Sequence, residues 1–259
     1  MQYGNYKLNR FPIKKAIIYN IFVKKQSDSV AILDIFYIFV PNNNGMMDFK
    51  GVITGDIVGS SQIKPELRGD LLTCLSSIQV ELQCVSPFRM EMYRGDSFQL
   101  LVDDPSVTAK IAILLRAGLI AHTPNKNEGL WDARVSVGIG TIDFMSENIV
   151  TSDGQAFSYS GSQLDSIGKH RLAVKTPWED VNEELEVSTA FVDDIITGWS
   201  AKQAGMIYLS IRENKSKKDV AGITATSVQN VRNVLSAAKE SLIKKYIDRN
   251  AEIIVGHCQ

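Results

Sequence analysis

Two hydrophobic periods alternate along residues 47–187. Phe49–Ser60 reads as a β-branched strand running into a glycine-bearing loop. Pro65 suits the first turn of a helix, and Leu67, Leu71, Leu75, Ile78 and Leu82 follow at helical spacing until Pro87. Phe88–Tyr93 and Ser97–Val102 predict two strands joined by the tight turn Arg94-Gly95-Asp96. Pro105 opens a second helix with Val107, Ile111, Leu114, Leu115 and Leu119 inward. After a polar loop, Thr123–Gly129, Ala133–Ile142 alternates through Val135, Val137 and Ile139 as a half-buried strand. A helix near Gly161–His170 and a last strand at Leu172–Val174 complete the set. The order is β-α-β-β-α-β with additions: an α+β, ferredoxin-like plan with one antiparallel sheet and helices on one face.

The pattern then becomes all-helical. Pro177–Glu184 reads as a polar link. A helix follows through Ala190, Ile195 and Ile196, and Ser200 caps another carrying Ala204, Ile207, Tyr208 and Ile211. Lys217–Ala221 predicts a short helix and Gly222-Ile223-Thr224 a turn. Ala225 opens a long helix with Val228, Val231, Leu235, Ala238 and Leu242 buried. Helix, turn, helix at this size matches a helix-turn-helix, and a trihelical dimerisation or packing module is the alternative. In the first reading Lys217, Lys218, Thr226, Ser227, Gln229, Asn230, Arg232 and Asn233 are the DNA-binding candidates, because these side chains hydrogen-bond bases or phosphates. The organisation expected is an N-terminal segment 1–46, a core 47–187 and a helical part 188–259.

Charge sharpens this division. The chain is nearly neutral, at −1, yet residues 1–47 carry +4, 48–187 carry −8 and 188–259 carry +3. An acidic middle favours divalent metal, and a mildly basic tail fits nucleic acid. In residues 1–46, the apolar run Ser29–Val40 is shorter than the roughly 20 residues a bilayer requires, so no integral membrane span is expected. Met46-Met47 directly precede the first strand, so the segment reads as an upstream extension. A membrane-associating tail and an accessory segment are the alternatives. Cys74, Cys84 and Cys258 have no metal-ligand spacing. Cys74 and Cys84 read as buried small hydrophobes, and the sparse cysteines point to the cytoplasm. His122, His170 and His257 have no catalytic partner nearby in sequence.

Asp56 ends the first strand and Asp96 sits at the hairpin tip, on neighbouring strands of this plan. Two carboxylates beside a loop of backbone N–H groups are what Mg²⁺ with a nucleotide requires, so both are metal-ligand candidates. The loop Ile57, Val58, Gly59, Ser60 and Ser61, together with Arg94, is the candidate phosphate site. Thr54-Gly55-Asp56-Ile57-Val58-Gly59-Ser60-Ser61, Tyr93-Arg94-Gly95-Asp96-Ser97-Phe98, Arg134-Val135-Ser136-Val137-Gly138-Ile139-Gly140 and Asp153-Gly154-Gln155-Ala156-Phe157 together resemble the SatD family. They are similar, more distantly, to class III nucleotide cyclase catalytic domains. The resemblance spans residues 47 to about 185. It implies a cyclase-like core, Asp56 and Asp96 as metal ligands, a purine nucleotide, a homodimer and a C-terminal helix-turn-helix.

Two departures bear on turnover. Arg89-Met90-Glu91-Met92 lacks the base-selecting lysine of cyclases. The helix through Ser158–Ser166 offers no cation before Lys169, which forfeits an electrostatic contribution of a few kcal/mol to phosphoryl transfer. The expectation is therefore a nucleotide-sensing regulator without assigned catalytic residues. A metal-dependent cyclase and a protein-interaction adaptor stand as alternatives.

Overall fold

The structure, a computed structural model, describes residues 9–13, 16–20, 48–124 and 130–258. The run Ser29–Val40 and most of the loop Thr123–Gly129 lie outside them. The chain divides into two units, 1–46 and 47–259. In the first, β1 (Asn9–Ile13) and β2 (Ala16–Asn20) form an antiparallel pair, Ile13 opposite Ala16. The second carries the other described elements. None of the described helices is long and apolar enough to cross a membrane.

Within the larger unit, β3 (Phe49–Ile57) is the sheet's centre, flanked by β5 (Ser97–Val102) and β6 (Ala133–Thr141), both antiparallel to it. β4 (Phe88–Tyr93) forms one edge beside β5, and β7 (Leu172–Lys175) forms the other, parallel to β6. The order is β4-β5-β3-β6-β7. The sheet is thus mixed rather than wholly antiparallel. α3 (Gln155–Ser166) sits between β6 and β7 in the chain, and a helical crossover returns the strand in the same direction.

Both faces of the sheet are covered, which corrects the one-sided expectation. α1 (Pro65–Leu82) and α2 (Thr108–Ala121) pack against Ile53, Leu100, Val102, Val135 and Val137 in the main core. The opposite face buries Val52 and Leu101 against Ala156 and Phe157 of α3. Alternation in β6 makes this possible. Its second face carries Gly138 and Gly140, and a Cβ on Gly138 would lie 2.2 Å from the Ala156 carbonyl oxygen. A helix approaching a strand this closely requires glycine there. α3 begins at Gln155 and ends at Ser166, earlier at both ends than the spacing suggested.

The predicted polar link 177–184 is instead the first turns of α4 (Glu179–Thr197). Its entry is fixed by Asn182, which accepts from the Thr176 N–H at 2.8 Å and donates to the Thr176 carbonyl at 3.0 Å. A boundary at 187/188 falls inside this helix. α5 (Ala201–Arg212) opens with a Ser200/Gln203 capping box and packs along α2. Tyr208 reaches α1, donating to Glu81 at 3.0 Å, and Arg212 pairs with the same carboxylate.

α6 (Lys217–Ile223) contains Gly222, so the turn to α7 (Val228–Ala237) comes later. The residue that takes positive φ there is Ala225, at 48°, with the Thr226 N–H donating to the Ala221 carbonyl at 3.0 Å. The long final helix is two helices. Lys239, at φ 60°, separates α7 from α8 (Glu240–His257), and the Trp199 indole donates to the Ala238 carbonyl at 3.0 Å. Redirecting the chain at Lys239 leaves Leu242 49% exposed rather than buried. Cys74 is buried as expected, whereas Cys84, just past the end of α1, is exposed.

Candidate functional site

The site is built at the end of β3. The register places Asp56 opposite Ser97 on one side and Arg134 on the other. Asp96 is the chain neighbour of Ser97, and its carbonyl accepts from the Ile57 N–H at 3.0 Å. The two predicted carboxylates are thereby drawn to the same strand end. Between them, Arg94 (φ 54°) and Gly95 (φ 83°) form a hairpin turn with both central residues in the left-handed region. Arg94 is exposed at its tip.

Asp56 already has a cationic partner. Arg134 Nε donates to Asp56 Oδ1 at 2.9 Å, and Nη2 donates to Oδ2 at 2.5 Å. This is a fork-to-fork pair. Its side chains are 41% and 20% exposed, so screening limits its worth to about 1 kcal/mol. The Asp56 hydrogen bond holds the Arg134 guanidinium above its ordinary pKa, against the smaller effect of burial. Asp96 instead accepts from Ser60 Oγ at 2.5 Å and from Ser97 Oγ at 3.3 Å. Tyr93 lies within the same field. Burial raises its phenol pKa, Arg94 opposes this, and the carboxylates of Asp56, Asp165 and Asp96 add to the rise.

The loop is only partly available to a ligand. The N–H of Ile57 is used by Asp96, and that of Val58 donates to the Asp132 carbonyl at 2.9 Å. Gly59, at φ 64°, turns the chain into a 3₁₀ turn over Ser60–Gln62, so Gly59, Ser60 and Ser61 form the part that faces outward. Beneath it lies a buried ion network. Arg116, fully buried, forks onto Asp132 at 2.9 and 2.8 Å and reaches Asp193 of α4 at 2.7 Å. Arg171 adds a bond to Asp132 at 3.0 Å, and its N–H donates to Asp193 at 2.9 Å. The Asp132 carbonyl therefore joins the candidate phosphate loop to α4 through buried charge.

In donor chemistry, Asp56 and Asp96 suit one Mg²⁺, which takes one or two carboxylates and completes its shell with water and phosphate. No cluster of three or more acidic, histidine or cysteine ligands exists among the described residues. An all-protein cage is thus not what this end of the sheet provides. α3 lies over the same face and carries no lysine or arginine. Arg94, which was expected at the site, stands at the hairpin tip, and Arg134, which was not, pairs with Asp56. Arg134 was legible in outline. Alternation with Val135, Val137 and Ile139 puts Arg134 on the other face of the strand, and the pairing register then sets it beside Asp56. Thr54, Gln99 and Ser160 were missed as well. Thr54 Oγ1 lies 2.8 Å from Ser160 Oγ and accepts from Gln99 at 3.1 Å, one row inward from Asp56.

The predicted DNA-contacting residues differ in availability. Gln229, Arg232 and Asn233 are exposed along one side of α7, and Lys218 is exposed on α6. Ser227 is the N-cap of α7, accepting from the Asn230 N–H at 3.1 Å, while Asn230 Nδ2 donates to Thr226 at 2.9 Å. Lys217 lies 3.7 Å from Glu240.

No family model matches this chain, and no curated protein matches it. Among solved structures it is similar to a bacterial light-regulated adenylyl cyclase, at 14% identity over 49% of this chain and 76% of that one, with a TM-score of 0.38. The active GGEEF domain of a diguanylate cyclase from Vibrio cholerae matches at 12% identity, 49% and 83% coverage and a TM-score of 0.37. The guanylyl cyclase Cya2 matches at 12%, 47% and 72%, with a TM-score of 0.34.

Proposed function

We propose that this chain is a regulator of SatD type. Its core binds a purine nucleotide with Mg²⁺ without turning it over, and its C-terminal helices contact DNA. The observation that carries the reading is the pairing at the strand end. Asp56 and Asp96 stand at the same strand end, Asp96 accepts from Ser60 of the loop, and the Asp56 carboxylate accepts from Arg134. Asp56 and Asp96 would hold the ion. Bound Mg²⁺ supplies charge neutralisation and orientation for a phosphate chain. Ser60 and Arg94 would meet the phosphates. α6, the turn 224–227 and α7 would form the helix-turn-helix, with Gln229, Arg232 and Asn233 reading DNA and Lys218 reaching a phosphate.

A second reading, a metal-dependent cyclase or related phosphoryl-transfer enzyme, is favoured by one feature. Arg134 brings to the site a cation that α3 lacks. Calorimetric titration of the full chain with ATP and GTP, with and without Mg²⁺, separates the two when the mixture is assayed for cyclic product. Metal-dependent binding without product supports the sensor. Product makes the chain an enzyme. Absence of binding, or binding undiminished in Asp56→Asn/Asp96→Asn, refutes the nucleotide site.

A further inference from the structure

We propose that Arg134 and a divalent cation compete for the Asp56 carboxylate, and that Arg134, once displaced, binds the nucleotide's phosphates. The inference rests on the metal–nucleotide reading of the site and assigns Arg134 a role within it.

Both Asp56 oxygens accept from Arg134, and the guanidinium stays charged at all accessible pH values. A doubly charged ion approaching the same carboxylate meets that positive charge at close range. Sharing is therefore unfavourable, and the cation must drive Arg134 off. The Arg134 side chain is 41% exposed, and it forks onto Asp56 through Nε and Nη2. Asp56 is more constrained, at 20% exposure on the central strand between β5 and β6.

Charge balance gives the exchange its direction. Arg134 neutralises Asp56, while Asp96 and Arg94 belong to the same hairpin turn. A divalent cation neutralises the two carboxylates by itself. Both arginines are then left to meet a polyanion at Gly59–Ser61, where Ser60 already touches Asp96. Without the cation, phosphate would encounter Asp56 and Asp96 with their compensating charge tied up. Nucleotide and metal should therefore bind together, and Arg134 is the residue that makes each depend on the other.

The test uses the full chain and two probes, Mn²⁺ alone by electron paramagnetic resonance and Mg–GTP or Mg–ATP by calorimetry. Arg134→Gln removes the competitor, so Mn²⁺ alone should bind several-fold more tightly than in the wild type, as expected for a partly screened charge. The same variant should bind Mg–nucleotide about tenfold more weakly, through loss of a guanidinium–phosphate fork. Arg134→Lys, which keeps the charge but not the fork, should leave Mn²⁺ affinity near wild type and lie between the two for nucleotide. Asp56→Asn should abolish Mn²⁺ binding in either background. Opposite signs for the two probes are required. A change of the same sign for both, or unchanged Mn²⁺ affinity in Arg134→Gln, overturns the proposal. Failure of the wild type to bind Mg–nucleotide would instead refute the proposed function, with the Mn²⁺ measurement still deciding the competition.

Discussion

Replacing Arg116 with methionine is the most informative structural perturbation, because a single side chain closes the network between α2, the start of β6 and α4. The guanidinium is fully buried and donates to Asp132 twice, to Asp193 and to Thr197. Desolvation alone would lower its pKa, but hydrogen bonds and the charges of Asp132 and Asp193 raise it above the ordinary value. Arg116→Met therefore leaves two buried carboxylates short of their main partner. Removing one member of a buried pair costs roughly 3–5 kcal/mol. Asp132 keeps Arg171 and the Ala133 N–H, and Asp193 keeps the Arg171 N–H. That places the loss at the lower end, about 3 kcal/mol. For a unit of this size it corresponds to a fall of roughly 6–12 °C in Tm, measurable by calorimetry or by circular dichroism. Arg116→Met/Asp193→Leu should recover part of the loss, since it removes one of the stranded charges. A fall of less than about 2 °C in the single variant, or a double variant worse than additive, would refute the view that these charges are mutually dependent.

Four further outcomes follow from particular contacts. Gly138→Ala should destabilise by about 3 kcal/mol or fail to fold, since α3 must move, whereas Gly161→Ala, with nothing within 4 Å of its Cβ, should stabilise α3 by roughly 0.5–1 kcal/mol; paired thermal melts check both. At neutral pH a thiol reagent should modify Cys84 first and Cys74 last, because burial pushes the Cys74 thiol up to about 11; mass spectrometry of partly labelled protein would show a reversed order if this is wrong. Burial works against the ionised Glu240, yet bonds from Lys244 and Ser210 hold its carboxyl below the ordinary value of 4.5. Its contribution is complete above pH 4.5 and is lost as pH falls through the lower folded value, so Glu240→Gln should flatten stability against pH below that point in urea titrations. Arg232→Ala should weaken any DNA binding by the full chain and reduce its salt dependence, and salt-independent binding in the wild type would argue against phosphate contacts.

The strands of the core were legible because each carries its own signal. β6 alternates cleanly, β5 ends in an apolar run, and Arg94-Gly95 marks the hairpin. The carboxylate pair was legible too, since Asp56 and Asp96 each stand at a strand end. What could not be read was set by pairing between distant segments. Arg134 acquires its meaning only from a register that puts it opposite Asp56, 78 residues away. The second covered face was signalled by Gly138 and Gly140, which read as weak strand residues until a helix is known to lie on them. The break at Lys239 carries no glycine or proline. It is imposed by tertiary contact at Trp199, which a periodicity of 3.6 residues runs straight through.

α4 follows β7 with only a short turn between and continues unbroken for 19 residues, about 28 Å at 1.5 Å per residue. It buries Val181 and Leu185 before residue 187, and Val192 and Ile196 after it. A gene cut at the expected boundary would divide one amphipathic helix into two stubs, each baring an apolar stripe that belongs against the rest of the protein. Fragments ending at 187 or starting at 188 would thus be poor reagents, prone to aggregate whatever their activity. A truncation meant to isolate the core has to respect the helix, and also α5, which packs along α2.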